Sequence, residues 1–269
     1  IVGICPLARR PLFKPPLPLG ALEFLRVPDT QESDLLAEPD RRGEVLAALA
    51  HWLSANRRRW SLLHLTDLPE ATGTRDALLA ALAGSGIAAV PDPDRCNLTV
   101  DLTRSWDDYY RGLSRRLKKG NNLVRNRLER AARVDLRRER GTTEPGELLE
   151  RAVQVSARSW KQGLGVSLDH PGPRAFIERL TAHAADAGWL SLWLIELDGR
   201  PAAMEYQILY AGRVHAQRGD FDPEFDSLSP GTYLHHHQLQ ALFEEPAMDT
   251  YLMGQGANPY KLRWSSEGL

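Results

Sequence analysis

Between Trp189 and Asp220 three runs rich in apolar residues, WLSLWLIEL, PAAMEYQILY and RVHAQRGD, follow one another with only Asp198-Gly199 and Ala211-Gly212 between them. A two-residue connection joins strands only when they are antiparallel neighbours, and Asp-Gly supplies the positive-φ backbone that such a turn demands. An antiparallel meander therefore stands inside the C-terminal half, and the flanking segments must cover its faces. Upstream, Glu147 to Gln162 and Arg174 to Asp186 carry apolar residues at helical spacing: Leu148, Leu149, Val153 and Trp160 in the first, Phe176, Ile177 and Leu180 in the second. Gly188 ends the second helix. Downstream come a helix from Gly231 to Glu245, a strand DTYLMG and a Gly/Asn/Pro turn into YKLRW. With VDLRRER as a leading strand, the order is strand, helix, helix, three strands, helix, strand, helix.

The N-terminal part reads as a looser version of the same alternation. IVGICPL, ALEFLRV, WSLLHL, IAAVP and CNLTVDL are strand-like, Glu44 to Asn56 is a helix with Val45, Leu46, Leu49 and Leu53 on one face, and Asp76 to Ala83 is a second. The proline-rich stretch from Pro11 to Pro18 reads as an extended surface connection. The chain does not begin with Met, and no turn or cap precedes its opening strand, so a natural segment is expected ahead of Ile1. Between the two parts lies a basic segment: residues 104 to 140 hold thirteen Lys/Arg against five Asp/Glu. Leu113, Leu117, Leu123, Val124, Leu128 and Ala132 keep an apolar stripe through it, which predicts a helix from Ser105 to about Arg133 that Gly120-Asn121-Asn122 interrupts. The organisation expected is 1–103, 104–133 and 134–269.

Global charge excludes little else, because 34 Lys+Arg against 35 Asp+Glu leave a net charge of -1. Any attraction to polyanions must be local. Cys5 and Cys96 have neither the number nor the spacing of a disulfide framework or a zinc site and are expected as small buried hydrophobes in a reducing compartment. No apolar stretch reaches the roughly 20 residues of a membrane span and no leader is visible, so the expected location is the cytoplasm. Oligomeric state leaves no signal.

The element order, together with SRRLKKGNNLVRNRLERA, the Arg158-Ser159-Trp160 triplet, GWLSLWLIELDGRPAA, SPGTYL from Ser229 and the Gly254-x-Gly256-x-x-x-YKLRW run, resembles the GNAT acetyltransferases of the CelD/BcsL-like family. That family is itself similar to the Fem-type aminoacyl transferases of cell-wall peptide synthesis. The resemblance covers residues 101 to 264. It implies an α/β (α+β) GNAT fold, a mixed, mostly antiparallel sheet flanked by helices, with the N-terminal third as an incomplete first GNAT-like half. It also implies an acyl donor held where the fourth core strand, RVHAQRGD, and the fifth, DTYLMG, splay apart. The donor expected is an acyl-CoA thioester, with an amine or hydroxyl acceptor on a small molecule, glycan or peptide, in polysaccharide or cell-envelope metabolism. The Fem-type relatives imply instead an aminoacyl-tRNA donor, and a third reading is an inactive fold serving as a binding module.

Site residues follow from the same resemblance. The helix after the fourth strand offers Ser229, Gly231 and Thr232 to donor phosphates, since free N–H groups and the helix dipole favour anions. GNAT proteins place Arg or Gln, two residues, Gly, one residue, Gly or Ala there, whereas this chain reads Asp226-Ser227-Leu228-Ser229-Pro230-Gly231-Thr232, with one glycine. Coenzyme A should then bind weakly unless Arg115, Arg116, Lys118 and Lys119 bring charge to the cleft. Tyr260 is the candidate acid for the leaving group and Lys261 the candidate oxyanion donor; Gly254 and Gly256 would let backbone approach the donor. From the residues themselves, Glu205 inside an apolar strand is the candidate general base with a raised pKa, weighed against a surface carboxylate or a salt bridge to Arg218. His215 and Asp220 are alternatives, and Tyr206, Asp220, Gly254 and Tyr260 are expected to line one concavity. No metal is expected. His235, His236 and His237 project about 100° apart on a helix and do not converge on one ion.

Overall fold

The protein, described by a computed structural model over residues 1–12, 19–91, 97–141 and 146–265, divides into two compact units, Ile1–Arg95 and Cys96–Leu269. Most of the proline-rich segment and Cys96 lie outside the described residues.

In the first unit, β2 (Leu7–Pro11) pairs antiparallel with β3 (Gly20–Phe24), and β3 pairs parallel with β5 (Leu62–His64). Two-residue strands β1 (Gly3–Ile4) and β4 (Leu36–Ala37) form a separate ladder. Helices α1 (Arg42–Ala55) and α2 (Thr74–Gly84) bury Leu46, Ala50, Leu53, Leu78 and Leu82 against Leu22 and Leu35. The opening IVGICPL run is divided between β1 and β2. Cys5 is half-buried rather than buried, and burial followed by the Asp34 charge pushes its thiol up to about 11. IAAVP forms no strand, and Val90 is 92% exposed: apolar residues alone do not make a strand without a ladder to join.

The second unit is built on a six-stranded sheet in the order β6-β11-β10-β9-β8-β7. These are β6 (Asn97–Asp101), β7 (Val134–Glu139), β8 (Leu190–Leu197), β9 (Arg200–Tyr210), β10 (Arg213–Phe221) and β11 (Thr250–Gln255). All neighbours are antiparallel except β10 and β11. Both predicted turns have positive φ at both central residues, 52° and 79° at Asp198-Gly199 and 49° and 78° at Ala211-Gly212, which matches the right-handed twist of the strands they join. Of CNLTVDL, read from sequence as the end of the first part, Asn97–Asp101 is an edge strand of this sheet instead. Tyr251↔Val100 is one of its rungs.

Period-two alternation gives the sheet two different faces. Met204 and Tyr206 point to α5 (Glu147–Arg158) and α6 (Pro171–Asp186), packing on Leu149, Val155 and Ile177. Each such fully buried side chain contributes about 1.5–3 kcal/mol. On the other face Trp193 and Ile195 meet Leu128 of α4 (Arg115–Ala131) and Leu234 of α7 (Pro230–Leu242). Tyr251 and Val214 there join Tyr109 of α3 (Trp106–Gly112), Leu117, Leu239 and Trp264, the last just beyond α8 (Pro259–Leu262).

The basic segment breaks at a different place from the one expected. Gly120-Asn121-Asn122 lie inside an unbroken α4, and the chain divides at Leu113-Ser114. Two caps decide this: the Ser105 side chain accepts from Asp108 N–H and the Ser114 side chain from Leu117 N–H, each starting its own helix. Among the described residues no helix is long and apolar enough to cross a membrane.

Candidate active site

β10 and β11 share only three rungs, Arg213↔Thr250, Val214↔Tyr251 and His215↔Leu252. Beyond them β10 runs on to Phe221 and β11 to Gln255 without pairing, so the strands separate. Two irregularities coincide with the parting: a bulge in β10 between Ala216 and Arg218, and a register shift against β6 between Leu252 and Gln255. A bulge bends its strand and leaves backbone groups outside the ladder.

Glu205 faces this opening from β9, opposite Gly219. Tyr251 Oη donates to its Oε1 at 2.6 Å, Gln207 Nε2 donates to the same oxygen at 2.9 Å, and His235 Nδ1 lies 4.0 Å from Oε2. Burial by itself would raise this carboxyl. The His235 ring, then the Tyr251 and Gln207 donors, outweigh burial and hold Glu205 below the ordinary value of 4.5. The raised pKa expected from sequence is therefore reversed, because the strand's neighbours bring donors that the sequence pattern does not show. The Tyr251 phenol is driven well above its usual value, by burial first and by Glu205 second.

Lys261 comes to the same place from α8. Its residue is 5% exposed, and Nζ donates to the carbonyls of Gly254 at 2.9 Å and Gln255 at 2.7 Å. Burial pulls the ammonium below its usual range while Glu205 works against that shift. Gly254 and Gly256, at φ of 78° and 87°, shape the turn that presents these carbonyls to Lys261. Tyr260 is half exposed beside the His235 ring, at 6.3 Å between centroids, and burial followed by the Glu205 charge pushes its phenol up to about 12. Lys261, Tyr260 and Glu205 thus converge: an ionised carboxylate, an ammonium with one N–H beyond its two carbonyl bonds, and a phenol that stays protonated at neutral pH.

Asp220 does not join them. It lies on the α5 face with Arg218, whose Nε bonds its Oδ2 at 2.7 Å, while Lys161 Nζ pairs with Oδ1 at 2.7 Å. Arg218 also donates to Ser156 Oγ and the Val166 carbonyl. Tyr206 is fully buried on that same face with its hydroxyl beside Thr181. The concavity expected from Tyr206, Asp220, Gly254 and Tyr260 is therefore split by the sheet, since residues of β9 and β10 one position apart point to opposite sides. Arg218, weighed as a salt-bridge partner of Glu205, is turned to the α5 face for the same reason and pairs there with Asp220.

At the start of α7, Ser229 takes a left-handed conformation, φ 56°, and its carbonyl accepts from Thr232 N–H and Tyr233 N–H. Pro230 has no N–H, so Gly231 supplies the one first-turn N–H without a partner among the described residues. Nothing lies within 4 Å of a Cβ built on Gly231. Arg127 Nη2 donates to Ser229 Oγ at 3.1 Å, and Tyr233 Oη to Glu129. Arg115 and Arg116 are exposed and lie some 12 residues, or roughly 18 Å, along α4 from Arg127, which reaches the α7 start. Arg127 reaches Ser229, and Arg125 borders the same crevice as Thr232. The three histidines diverge: His235 toward the sheet beside Tyr251 and Trp264, His236 toward Trp106 and Tyr110, His237 toward Tyr233.

Sequence reasoning missed Tyr251, His235 and Lys161. Tyr251 carried a usable signal, being the residue of DTYLMG that shares a face with the strand's inward apolar positions. His235 and Lys161 carried none outside the tertiary structure.

Residues 115–262 match the family described as acetyltransferase (GNAT) domain. Among solved structures, the C-terminal domain of a putative lysylphosphatidylglycerol synthetase from Agrobacterium fabrum is 16% identical, with a TM-score of 0.49, over 88% of this chain and 64% of that one. FemX is 12% identical, with a TM-score of 0.56, over 96% of this chain and 77% of that one. L-PGS from Bacillus licheniformis is 14% identical, with a TM-score of 0.53, over 96% and 70%. The chain spans just under two thirds of the first of these, and at such identities the likeness is one of fold. No curated protein matches the chain.

Proposed function

Because the chain belongs to the acetyltransferase (GNAT) domain family, we propose that this acyltransferase moves an acyl group directly from a donor lying in the β10/β11 opening to an amine or hydroxyl acceptor. The acceptor nitrogen or oxygen attacks the carbonyl carbon. Its proton passes to Glu205 or to water, the third N–H of Lys261 stabilises the oxyanion, and the bond to the donor breaks as the Tyr260 phenol protonates the leaving group. Solvent then restores Tyr260, which is 52% exposed. The observation that carries the reading is the burial of Lys261 against the carbonyls at the end of β11, where a glycine turn and a buried charge meet a parted pair of strands. A low, not raised, pKa keeps Glu205 ionised and suits it to attracting and orienting an ammonium, and it leaves water the better acceptor of the proton, since a general base works best with a pKa near the working pH.

The donor class is an acyl-CoA thioester, within the CelD/BcsL-like branch and in polysaccharide or envelope metabolism. Residues 1–95 form an incomplete GNAT-like half ahead of the acyltransferase domain. A second reading, aminoacyl transfer from tRNA as in Fem-type proteins, is favoured by the α7 start, where Pro230 and a single glycine replace the usual phosphate loop and exposed Arg125 and Arg127 flank it. Assaying release of free thiol from acyl-CoA donors, in parallel with loss of label from aminoacyl-tRNA, tests both. Turnover with neither donor across a panel of amine and hydroxyl acceptors would leave the third reading, a binding module, standing.

A further inference from the structure

On the flank of α7 that faces α4, away from the sheet, lies a small, shallow crevice open to solvent, bordered by Asn121 and Arg125 of α4 and by Thr232, Tyr233, His236 and His237 of α7. Its floor is polar and unsatisfied. Asn121 is 6% exposed, and neither its Nδ2 nor its Oδ1 has a partner; His236 Nδ1 and His237 Nε2 are buried without partners too. A buried amide left with both groups unpaired loses its hydration without compensation, so an apolar residue would serve the helix contact better. Buried polar atoms without partners in a folded protein call for a ligand, an ion or a water.

Charge selects among ligands. Arg125 stands exposed at the rim with no ion pair among the described residues, and Arg127 is half a turn further along at Ser229. The facing acid, Glu129, is already engaged by the Tyr233 hydroxyl at 3.2 Å. The other titratable groups around the histidines are His235 on α7 and Tyr110 on α3. Burial, then His237 and Arg125, push His236 down to about 4, and burial lowers His237 as well. Both rings are thus neutral and next to a positive charge.

We propose that this crevice is an anion site that takes a phosphate group, held by Arg125 as counter-ion and by the Asn121 amide, the Thr232 hydroxyl and the two imidazoles as hydrogen-bonding partners. Thr232 belongs to the first turn of α7 beside Gly231, whereas His236 and His237 lie one to two turns further along, so the site extends beyond the helix start. The phosphate is either free or part of a phosphorylated ligand such as the acyl donor, and the test separates these sources.

Titrating inorganic phosphate into protein labelled at its histidine rings, followed by NMR, gives saturable shifts of the His236 and His237 signals. The midpoints of both rings rise, because an adjacent anion favours the imidazolium. Arg125→Ala, a change at an exposed position, weakens phosphate binding about tenfold or more, the loss expected for one charge-assisted contact. Asn121→Ala does the same while leaving the fold intact by circular dichroism. Displacement of phosphate by coenzyme A assigns the site to the donor, and retention assigns it to a separate anion. Histidine signals that ignore phosphate, or that move equally in wild type and Arg125→Ala, overturn the proposal and leave an ordered water as the occupant. The readout is binding, so it stands apart from whether the chain transfers acyl groups.

Discussion

The two faces of the β9/β10 hairpin carry similar charges and settle them differently. On the α5 side, Arg218 and Asp220 are 1% and 0% exposed at their side chains and are closed by Lys161, Ser156 and the Val166 carbonyl, so that the arginine fork and carboxylate are both engaged. On the α7 side, Glu205 is held by donors at one oxygen, His235 stands 4.0 Å from the other, and Lys261 keeps an N–H in hand. A closed charge network fixes a strand, whereas a partly open one beside parted strands is equipped to meet a substrate. The clamp at Arg218 sits at the bulge itself, so the satisfied face holds the backbone that the reactive face uses.

The largest effect should come from the closed face. Asp220→Ala leaves Arg218 buried without its carboxylate and should cost about 3–5 kcal/mol of stability, read by denaturant unfolding; a loss under 1 kcal/mol would mean that the clamp is no different from a surface pair. Next, Lys261→Ala should lower turnover by roughly two to three orders of magnitude, as for one oxyanion donor. It also strips two carbonyls of their donor, so unfolding should show a further loss of about 1–3 kcal/mol. Full activity in that variant would remove the open face from the chemistry.

Glu205 sharpens the contrast through pH. Its folded pKa lies below 4.5, so the stability that it contributes is fully present above pH 4.5 and disappears as pH falls through the lowered value. On its account activity stays level from neutral pH down to the ordinary carboxylate range, and the acid limb vanishes in Glu205→Gln. A limb near neutrality in the wild type would show a raised pKa and refute the donor network. Tyr251→Phe, which removes one donor from Glu205, should move that acid limb upward and cost about 1 kcal/mol of stability. The smallest effect is expected for Arg115→Ala with Arg116→Ala, which lie at the far end of α4: donor affinity and its salt dependence should stay as in wild type, whereas a reduced salt slope would bring those residues back to the donor.

The meander, its two turns and the helices around it were legible in the chain because their determinants are local. Positive-φ dipeptides fix antiparallel neighbours, and apolar spacing fixes which elements are helices. Strand alternation also offered Glu205 as a candidate carboxylate inside an apolar strand, whereas Lys261 and Tyr260 came from the resemblance to the family and not from local rules. They failed where distant segments compete. CNLTVDL has the same pattern at either end of the linker and was decided by the free edge of β11; Gly120 lost to the caps at Ser105 and Ser114. The pKa of Glu205, the placement of Asp220 behind the sheet and the arginine that reaches the α7 start all depend on groups 46 to 102 residues apart in sequence meeting through the packed sheet and helices. Alternation along a strand determines that two residues face apart, and only the packed structure determines which charges each of them meets.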